Sequence, residues 1–230
     1  MCGRYAASRR PEDLIVEFEA QEATDDVVLP PDYNVAPTKD VHAVLVRHGS
    51  RQLRVLRWGL VPSWAHDDSG AARRINARIE TVAHRPAFRA ALTSRRCLIP
   101  ADGWYEWAPA PDRPGRQPYF ITPADGSVLA FAGLYEWRGG SLTCAIITTA
   151  ATGPLALVHD RMPVAVDRGR WAAWLDPEQA EPQRLVATPS AALLAGLELR
   201  PVGPAVGNVA NNGPLLTAWQ PAGAAPHALF

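Results

Sequence analysis

The chain has 230 residues, of which 47% are hydrophobic and 20% are charged, and this composition excludes a disordered chain, a fibrous repeat and a disulfide-stapled miniprotein. Its 23 basic and 23 acidic residues give a formal net charge of zero, which excludes a histone-like polycation. The length suits one sizeable domain or two small ones with a substantial core.

The predicted elements are mostly short strands with a few short helices between them. Pro11, followed by two acids and then apolar residues, predicts the first helix. Beta-rich runs predict strands at Val41–Arg47, Leu53–Trp58, Cys97–Ile99, Tyr119–Ile121, Val128–Trp137 and Leu142–Thr148. Further helices are predicted at Pro86–Leu92, Arg170–Leu175 and Ser190–Leu197, and a turn-like segment at Tyr33–Thr38. The pattern predicts an α+β single domain, mostly antiparallel β, with a barrel-like core and short peripheral helices.

The cysteine content and the length of the apolar runs indicate the cellular compartment of the protein. Three cysteines, Cys2, Cys97 and Cys144, lack the spacing of a zinc ribbon and indicate a reducing environment. The N-terminal segment has no apolar core typical of a signal peptide, and the most apolar runs are far shorter than the ~20 residues that cross a bilayer. We therefore expect a cytoplasmic protein with no metal, no organic cofactor and no membrane partner.

The zero net charge conceals a basic block. Residues 47–96 contain eleven arginines and three acidic residues, together with Trp58 and Trp64. Arginine binds phosphates in a bidentate manner and aromatic faces stack on unpaired bases, so the block favours nucleic-acid binding. The alternative is a solvated surface in a protein that uses arginine in place of lysine, since Lys39 is the only lysine.

Cys2 directly follows the initiator methionine, which aminopeptidases remove when the next side chain is small. The exposed cysteine then carries both an α-amine, with a pKa near ~7.7–8.0, and a thiol. The amine can condense with an aldehyde to an imine, and the thiol can close onto the same carbon as a thiazolidine. Two alternatives remain open: an accidental cysteine on a frayed terminus, and an N-terminal-nucleophile glutaminase or peptidase.

Other polar residues lie in chemically dense segments. Glu106 stands between aromatic residues, where an apolar cage raises the pKa of a carboxyl toward neutrality. Asn76, Arg78 and Glu80 share one face if their segment is extended. His159 lies two residues before Arg161. Each also has a structural interpretation, such as a half-exposed strand carboxylate or a core histidine.

Eight segments, in this order, resemble the SRAP family of abasic-site processing proteins, first named SOS-response-associated peptidases. They are MCGRY, YNVAPT, RWGLVPSW, NARIET, RRCLIPADGWYEW, FAGLYEW, ITTAA and HDRMPV. The resemblance runs from Met1 to about Asn212, and one SRAP-like domain is expected over residues 1–230, with an uninformative C-terminal tail. It implies a DNA-damage protein, in an α+β barrel-like fold, that captures abasic sites in single-stranded DNA.

The resemblance also implies roles for five residues around the lesion. Cys2 corresponds to the residue that forms the thiazolidine crosslink, and Glu106 to the acid or base that assists sugar ring opening and proton transfer. His159 corresponds to the residue that activates the sugar and helps to reverse the link. Asn76 corresponds to the residue that holds the aldehyde or hydroxyl and orients the N-terminus, and Asn34 is expected in the same pocket.

Five further residues are implied in DNA binding. Arg4, Arg78 and Arg161 are expected on the flanking phosphates, while Trp64 and Trp107 are expected to pack on bases or shape the groove, with core packing as their alternative. The implied partner is single-stranded DNA containing abasic sites, and the protein is nucleoid-associated when bound to it. The family label implies autocatalytic removal of Met1, and imine chemistry permits a lyase side reaction.

Overall fold

The computed structural model describes residues 2–22, 28–110, 114–186 and 189–221. The strands of these ranges are β1 (Tyr5–Ala7), β2 (Gln21–Glu22), β3 (Asp32–Val35), β4 (Asp40–Arg47), β5 (Ser50–Trp58), β6 (Asn76–Arg78), β7 (Arg96–Ala101), β8 (Gly103–Pro109), β9 (Arg116–Pro123), β10 (Leu129–Arg138), β11 (Ser141–Ala150), β12 (Arg161–Pro163) and β13 (Leu197–Pro201). The α-helices are α1 (Pro11–Phe18), α2 (Arg89–Ser94), α3 (Trp171–Leu175), α4 (Pro182–Leu185) and α5 (Ala191–Ala195).

Five strands close into a barrel. Antiparallel pairing joins β5 to β4, β4 to β7, β7 to β10 and β10 to β11. The ring closes through a parallel pairing of β11 with β5, where Cys144 lies opposite Trp58. Closure removes the open edges that such a sheet would otherwise expose. The predicted barrel-like α+β fold is confirmed.

A second sheet lies against one side of the barrel, with strand order β13-β9-β8-β1-β3. Tyr5 of β1 pairs with Trp104 of β8, and both side chains contact barrel residues. The rings of Tyr5 and Trp104 each meet Phe131 of β10 edge-on, with ring centroids 6.1 Å apart in both pairs. This packing fixes the N-terminal strand, and Cys2 with it, against the barrel wall.

The buried tryptophans keep their polar atoms paired. Trp58 Nε1 donates to the carbonyl oxygen of Ile75 at 2.9 Å, and Trp174 Nε1 donates to that of Cys97 at 2.8 Å. A buried N–H without an acceptor costs about 1–3 kcal/mol, so these bonds fix each ring in one orientation. Trp174 lies on the buried side of α3.

In three places the predicted type of secondary structure differs from the observed one. The helix predicted at Pro86–Leu92 begins only at Arg89, because residues up to Phe88 form turns and Phe88 has a non-helical φ of −123°. Leu197 opens β13 instead of ending α5. The turn-like segment from Tyr33 begins as strand β3, paired with β1, and turns only after Val35.

Among the described residues, every helix is too short or too polar to cross a bilayer.

Candidate active site at the N-terminus

Cys2 is held by a residue of β6, a short strand that pairs with the barrel strand β11. Its carbonyl oxygen accepts a hydrogen bond of 2.8 Å from Nδ2 of Asn76. Asn76 opens β6, which pairs in parallel with β11 at Ile146. The Cys2 side chain is fully buried in the cluster that also contains Tyr5 and Trp58. The amide of Asn76 therefore positions the main chain of the candidate nucleophile.

Glu106 reaches the same region from β8. The backbone N–H of Tyr105 donates to the carbonyl of Arg4 at 2.9 Å, so β8 runs beside the segment that follows Cys2. Side chains alternate along a strand, and Glu106 therefore shares the face of Trp104, which packs in the cluster of Cys2. Glu106 is only 5% exposed, so its carboxyl belongs to the interior.

Burial sets the acidity of both groups. It raises the pKa of the Cys2 thiol well above its ordinary value, and the nearby charge of Glu106 raises it further. Burial also raises the pKa of Glu106 to about 7. At neutral pH the thiol keeps its proton, whereas the carboxyl can both release and accept one.

His159 lies beside this pair, next to the start of β12. Its pKa and that of Glu106 both respond to the charges of Asp160 and Arg116. The backbone N–H of Arg161 donates to Nδ1 of His159 at 2.9 Å, which requires a lone pair on Nδ1. Oδ1 of Asp160 also lies 2.9 Å from Nδ1, which requires a proton there.

These two contacts need opposite states of Nδ1: the first needs its lone pair, and the second needs a proton on it. Burial lowers the pKa of His159, so the neutral ring prevails at neutral pH. We therefore assign the proton to Nε2, with Nδ1 accepting from the backbone of Arg161. The highly exposed Asp160 is solvated by water in that state, and it pairs with the ring when the imidazolium forms.

Asn76 has spare hydrogen-bonding capacity beside Cys2. Its Oδ1 is buried and has no hydrogen-bond partner among the residues that the structure describes. Unpaired buried acceptors are uncommon in folded proteins, because each costs about 1–3 kcal/mol. An N–H or O–H group arriving at the Cys2 end of the molecule would remove this cost.

Arg4 and Trp107 lie together on the other face of the second sheet from Glu106, beside Tyr105. The Arg4 guanidinium lies 5.9 Å from the ring centroid of Trp107. Nη1 of Arg4 also donates to Oδ1 of Asn34 at 2.8 Å and to the carbonyl of Val206 at 2.9 Å. The Arg4 guanidinium thus packs near an aromatic ring and uses Nη1 in hydrogen bonds within the protein.

Asn34 is fully buried, and its side chain hydrogen-bonds to the loop formed by residues 204–212. Its Nδ2 donates to the carbonyls of Asn208 and Asn211, both at 2.9 Å. Its Oδ1 accepts from Arg4, so the structure connects Asn34 to the site through Arg4. The sequence reasoning missed this loop, although the asparagines around positions 208–212 are a signal for side-chain-stabilised turns. A direct contact of Asn34 with substrate stays a prediction.

The other predicted DNA contacts differ in exposure. Arg78 is exposed at the end of β6, and Trp64 is 64% exposed in a turn after β5. Arg161 is only 10% exposed, and both of its terminal nitrogens contact Glu80, at 2.6 and 3.0 Å. Sequence reasoning placed Glu80 on the face of Asn76 but did not assign it a partner.

The basic block of residues 47–96 is divided between structural and solvent-facing roles. Arg57 pairs with Asp68 at 3.3 Å, Arg95 pairs with Glu136 at 2.7 Å, and Arg96 is buried. Exposed arginines in the same block are Arg47, Arg73, Arg78, Arg85 and Arg89. The positive surface is therefore smaller than the count of arginines suggests.

No group of three or more His, Cys, Asp or Glu side chains suitable for a metal ion occurs in the described ranges.

Comparisons with known proteins identify the family of this chain. A family model described as SOS response associated peptidase (SRAP) matches residues 1–209. The chain belongs to the SRAP family. It is 40% identical over 190 residues to abasic site processing protein YoaM of Bacillus subtilis (strain 168), covering 80% of this chain and 83% of YoaM.

Other SRAP relatives extend the match. Abasic site processing protein YoqW of the same bacterium is 36% identical over 221 residues, covering 94% of this chain and 98% of YoqW. A crystal structure of a protein from Bacteroides thetaiotaomicron superposes with a TM-score of 0.82 at 22% identity, covering 95% of this SRAP chain and 100% of that one. The structural match shows that the fold is shared.

Proposed function

We propose that this SRAP protein captures abasic sites in single-stranded DNA as a covalent thiazolidine at Cys2, after removal of Met1, and so shields the lesion. The observation that carries the proposal is the convergence of Asn76 and Glu106 on Cys2, with His159 beside them. The names of its relatives YoaM and YoqW, both abasic site processing proteins, support the choice of substrate.

The chemistry balances without a cofactor. The ring-opened abasic sugar presents an aldehyde at C1′, and the neutral α-amine of Cys2 adds to it to give a carbinolamine. Loss of one water yields the imine, and the sulfur then adds to C1′ while the thiol proton moves to nitrogen. New C–N and C–S bonds replace the C=O double bond, and one water is released.

The acidities described above set the order of these steps. The thiol of Cys2 is protonated at neutral pH because burial raises its pKa, whereas an α-amine has a substantial neutral fraction. We infer that the amine attacks first and that sulfur closes the ring second. Glu106, with a pKa of about 7, takes the thiol proton and delivers it to the nitrogen as sulfur adds to C1′.

His159 and Asn76 act on the oxygen side of the sugar. A neutral His159 with its proton on Nε2 donates to the ring oxygen or to the aldehyde, which favours ring opening. The unpaired Oδ1 of Asn76 accepts from the α-amine or from a sugar hydroxyl, while its Nδ2 keeps hold of the Cys2 carbonyl.

DNA flanking the lesion is bound by the surface around this site. We infer that Arg4 with Trp107 holds one side of the strand, and that the exposed Arg78 and Trp64 contact phosphate and base. Arg161 binds a further phosphate once its carboxylate partner Glu80 is displaced. Two lesser activities belong to the same proposal: autocatalytic removal of Met1, and strand cleavage by β-elimination from the imine.

The experiment is denaturing electrophoresis and intact mass after incubation with an abasic single-stranded oligonucleotide. The wild-type protein is expected to form a denaturation-resistant adduct that lacks Met1, whereas Cys2→Ala and a variant with one residue left permanently before Cys2 form none. Cys144→Ala, which removes another fully buried thiol, is the matched control and retains the adduct.

An adduct of undiminished yield in either N-terminal variant would contradict the mechanism. Cys2-dependent release of glutamate from glutamine, without an adduct, would instead favour the glutaminase alternative. Glu106→Gln and His159→Ala are expected to slow formation or reversal of the adduct with little loss of DNA affinity.

A further inference from the structure

We propose that Glu80 is a specificity-determining latch, which occupies the phosphate-binding fork of Arg161 until a correctly placed DNA strand displaces it. The inference rests on the proposed DNA-binding function. It assigns to Glu80 a role in rejecting undamaged or poorly placed strands.

The contact between the two residues has the geometry of an anion site that is already filled. Nη1 and Nη2 of Arg161 each donate to one oxygen of the Glu80 carboxylate, at 2.6 and 3.0 Å. A phosphate binds the same edge of a guanidinium through two parallel N–H···O bonds. Carboxylate and phosphate therefore compete for one position.

The guanidinium is fixed in place beneath its partner. Nη2 of Arg161 also donates to the carbonyl of Thr148 at 2.7 Å. Its Nε is buried without a hydrogen-bond partner among the described residues. The Arg161 side chain is 10% exposed and the Glu80 side chain 48% exposed, so Glu80 is the partner that can swing into water.

The latch sits directly beside the proposed chemistry. Glu80 follows Asn76 and Arg78 in a turn anchored to β11, where the N–H of Ile79 donates to the carbonyl of Thr148 at 2.9 Å. Arg161 opens β12 on the other side of β11, opposite Ala150, and its backbone N–H supports His159. A phosphate that displaces Glu80 is thus bound next to the residues proposed to act on the sugar.

The energetic consequence is a threshold for binding. Two charge-assisted hydrogen bonds join Glu80 to Arg161, and a strand must replace both before it gains from Arg161. A strand whose abasic sugar is also bound at Cys2 can meet this cost. An undamaged strand is bound only through its phosphates, and it gains little by replacing Glu80 on Arg161. Removal of the carboxylate should therefore favour undamaged DNA most.

The test is a double-mutant cycle with Glu80→Gln and Arg161→Met, read as the dissociation constant for an undamaged single-stranded oligonucleotide over a salt titration. Glu80→Gln is expected to tighten binding at least 5-fold at low salt and to steepen the slope of log K against log salt by about 0.7, the value for one added phosphate contact. The gain is expected to disappear in the Arg161→Met background.

The control is Glu178→Gln, which removes the same charge from an exposed turn and is expected to leave binding within 2-fold. Unchanged or weaker binding by Glu80→Gln would refute the latch, as would a gain that persists without Arg161, because the effect would then be one of general charge. Adduct formation by wild-type protein is scored separately. An intact adduct with no Glu80 effect rejects only the latch, whereas no adduct rejects the proposed function.

Discussion

At the scale of single residues, the buried carboxylate of Glu106 lowers the stability of the folded protein. A carboxyl that is 5% exposed loses most of its hydration, and its pKa rises from 4.5 to about 7 for that reason. The group is thereby matched to proton transfer near neutrality, but its charged form is poorly solvated. Residues that carry chemistry often reduce stability in this way, so activity and stability are expected to change in opposite directions at this position.

Glu106→Gln is expected to stabilise the protein at pH 8 and to slow adduct formation. The folded pKa, about 7, exceeds the unfolded value, so the native state binds more protons between those values and stability falls as pH rises through them. The cost is complete above about pH 7 and absent at low pH. Denaturant unfolding should show a gain on the order of 1–3 kcal/mol for the variant at pH 8 and little at pH 4. An equal difference at both pH values would contradict this account of the carboxyl.

At the scale of elements, a buried arginine joins two short helices to the barrel. Arg96, the first residue of β7, donates to the carbonyls of Leu92 and Thr93 in α2, both at 2.6 Å, and to that of Trp174 in α3 at 2.7 Å. It also donates to the carbonyl of Asp176. The final carbonyls of a helix have no intrahelical partner, so one cation at both C-termini satisfies them and complements both dipoles. Helices as short as α2 and α3 depend on such tertiary contacts.

Arg96→Met is expected to destabilise the protein by about 2–4 kcal/mol, because several buried carbonyls lose their donor while the aliphatic volume is kept. Arg89→Met, at an exposed position of α2, is the control and should change stability by no more than about 0.5 kcal/mol. The measurement is equilibrium urea unfolding of the three proteins. Two arginine variants of equal stability would show that the carbonyls find other donors.

At the scale of the whole molecule, the barrel and the second sheet bring the chain's first residues against segments near positions 76, 106 and 159. Across the whole chain, a single lysine side chain competes with the α-amine of Cys2 for an aldehyde. Lys39 is the only lysine, and its Nζ is held at 2.6 Å from Oδ2 of Asp32.

Borohydride reduction of the complex with abasic DNA is therefore expected to trap the strand at the α-amine of Cys2 and not at Lys39. Peptide mapping by mass spectrometry locates the bond, and Lys39→Arg provides the control, with an unchanged yield. A reduced adduct on Lys39 would show that the amine of the N-terminus has no privileged access.

The sequence by itself determined the strands of the barrel, the α+β class and the four residues proposed to act on the sugar. Alternating apolar runs and contiguous motifs carry that information locally, and the family match covers residues 1–209. The prediction was wrong at the start of the helix assigned to Pro86–Leu92, where the chain forms turns before Arg89. It was also wrong at Tyr33, where pairing with β1 makes the segment a strand.

Only the tertiary structure decided which polar groups meet. It turned Asn34 toward the 204–212 loop, closed the fork of Arg161 on Glu80 and buried Arg96 between helix ends. These pairings join segments up to 177 residues apart, as between Asn34 and Asn211. The reason is physical: an arginine or asparagine has the same donors wherever it stands, and its partner is set by the side chains and carbonyls that folding excludes from water along with it.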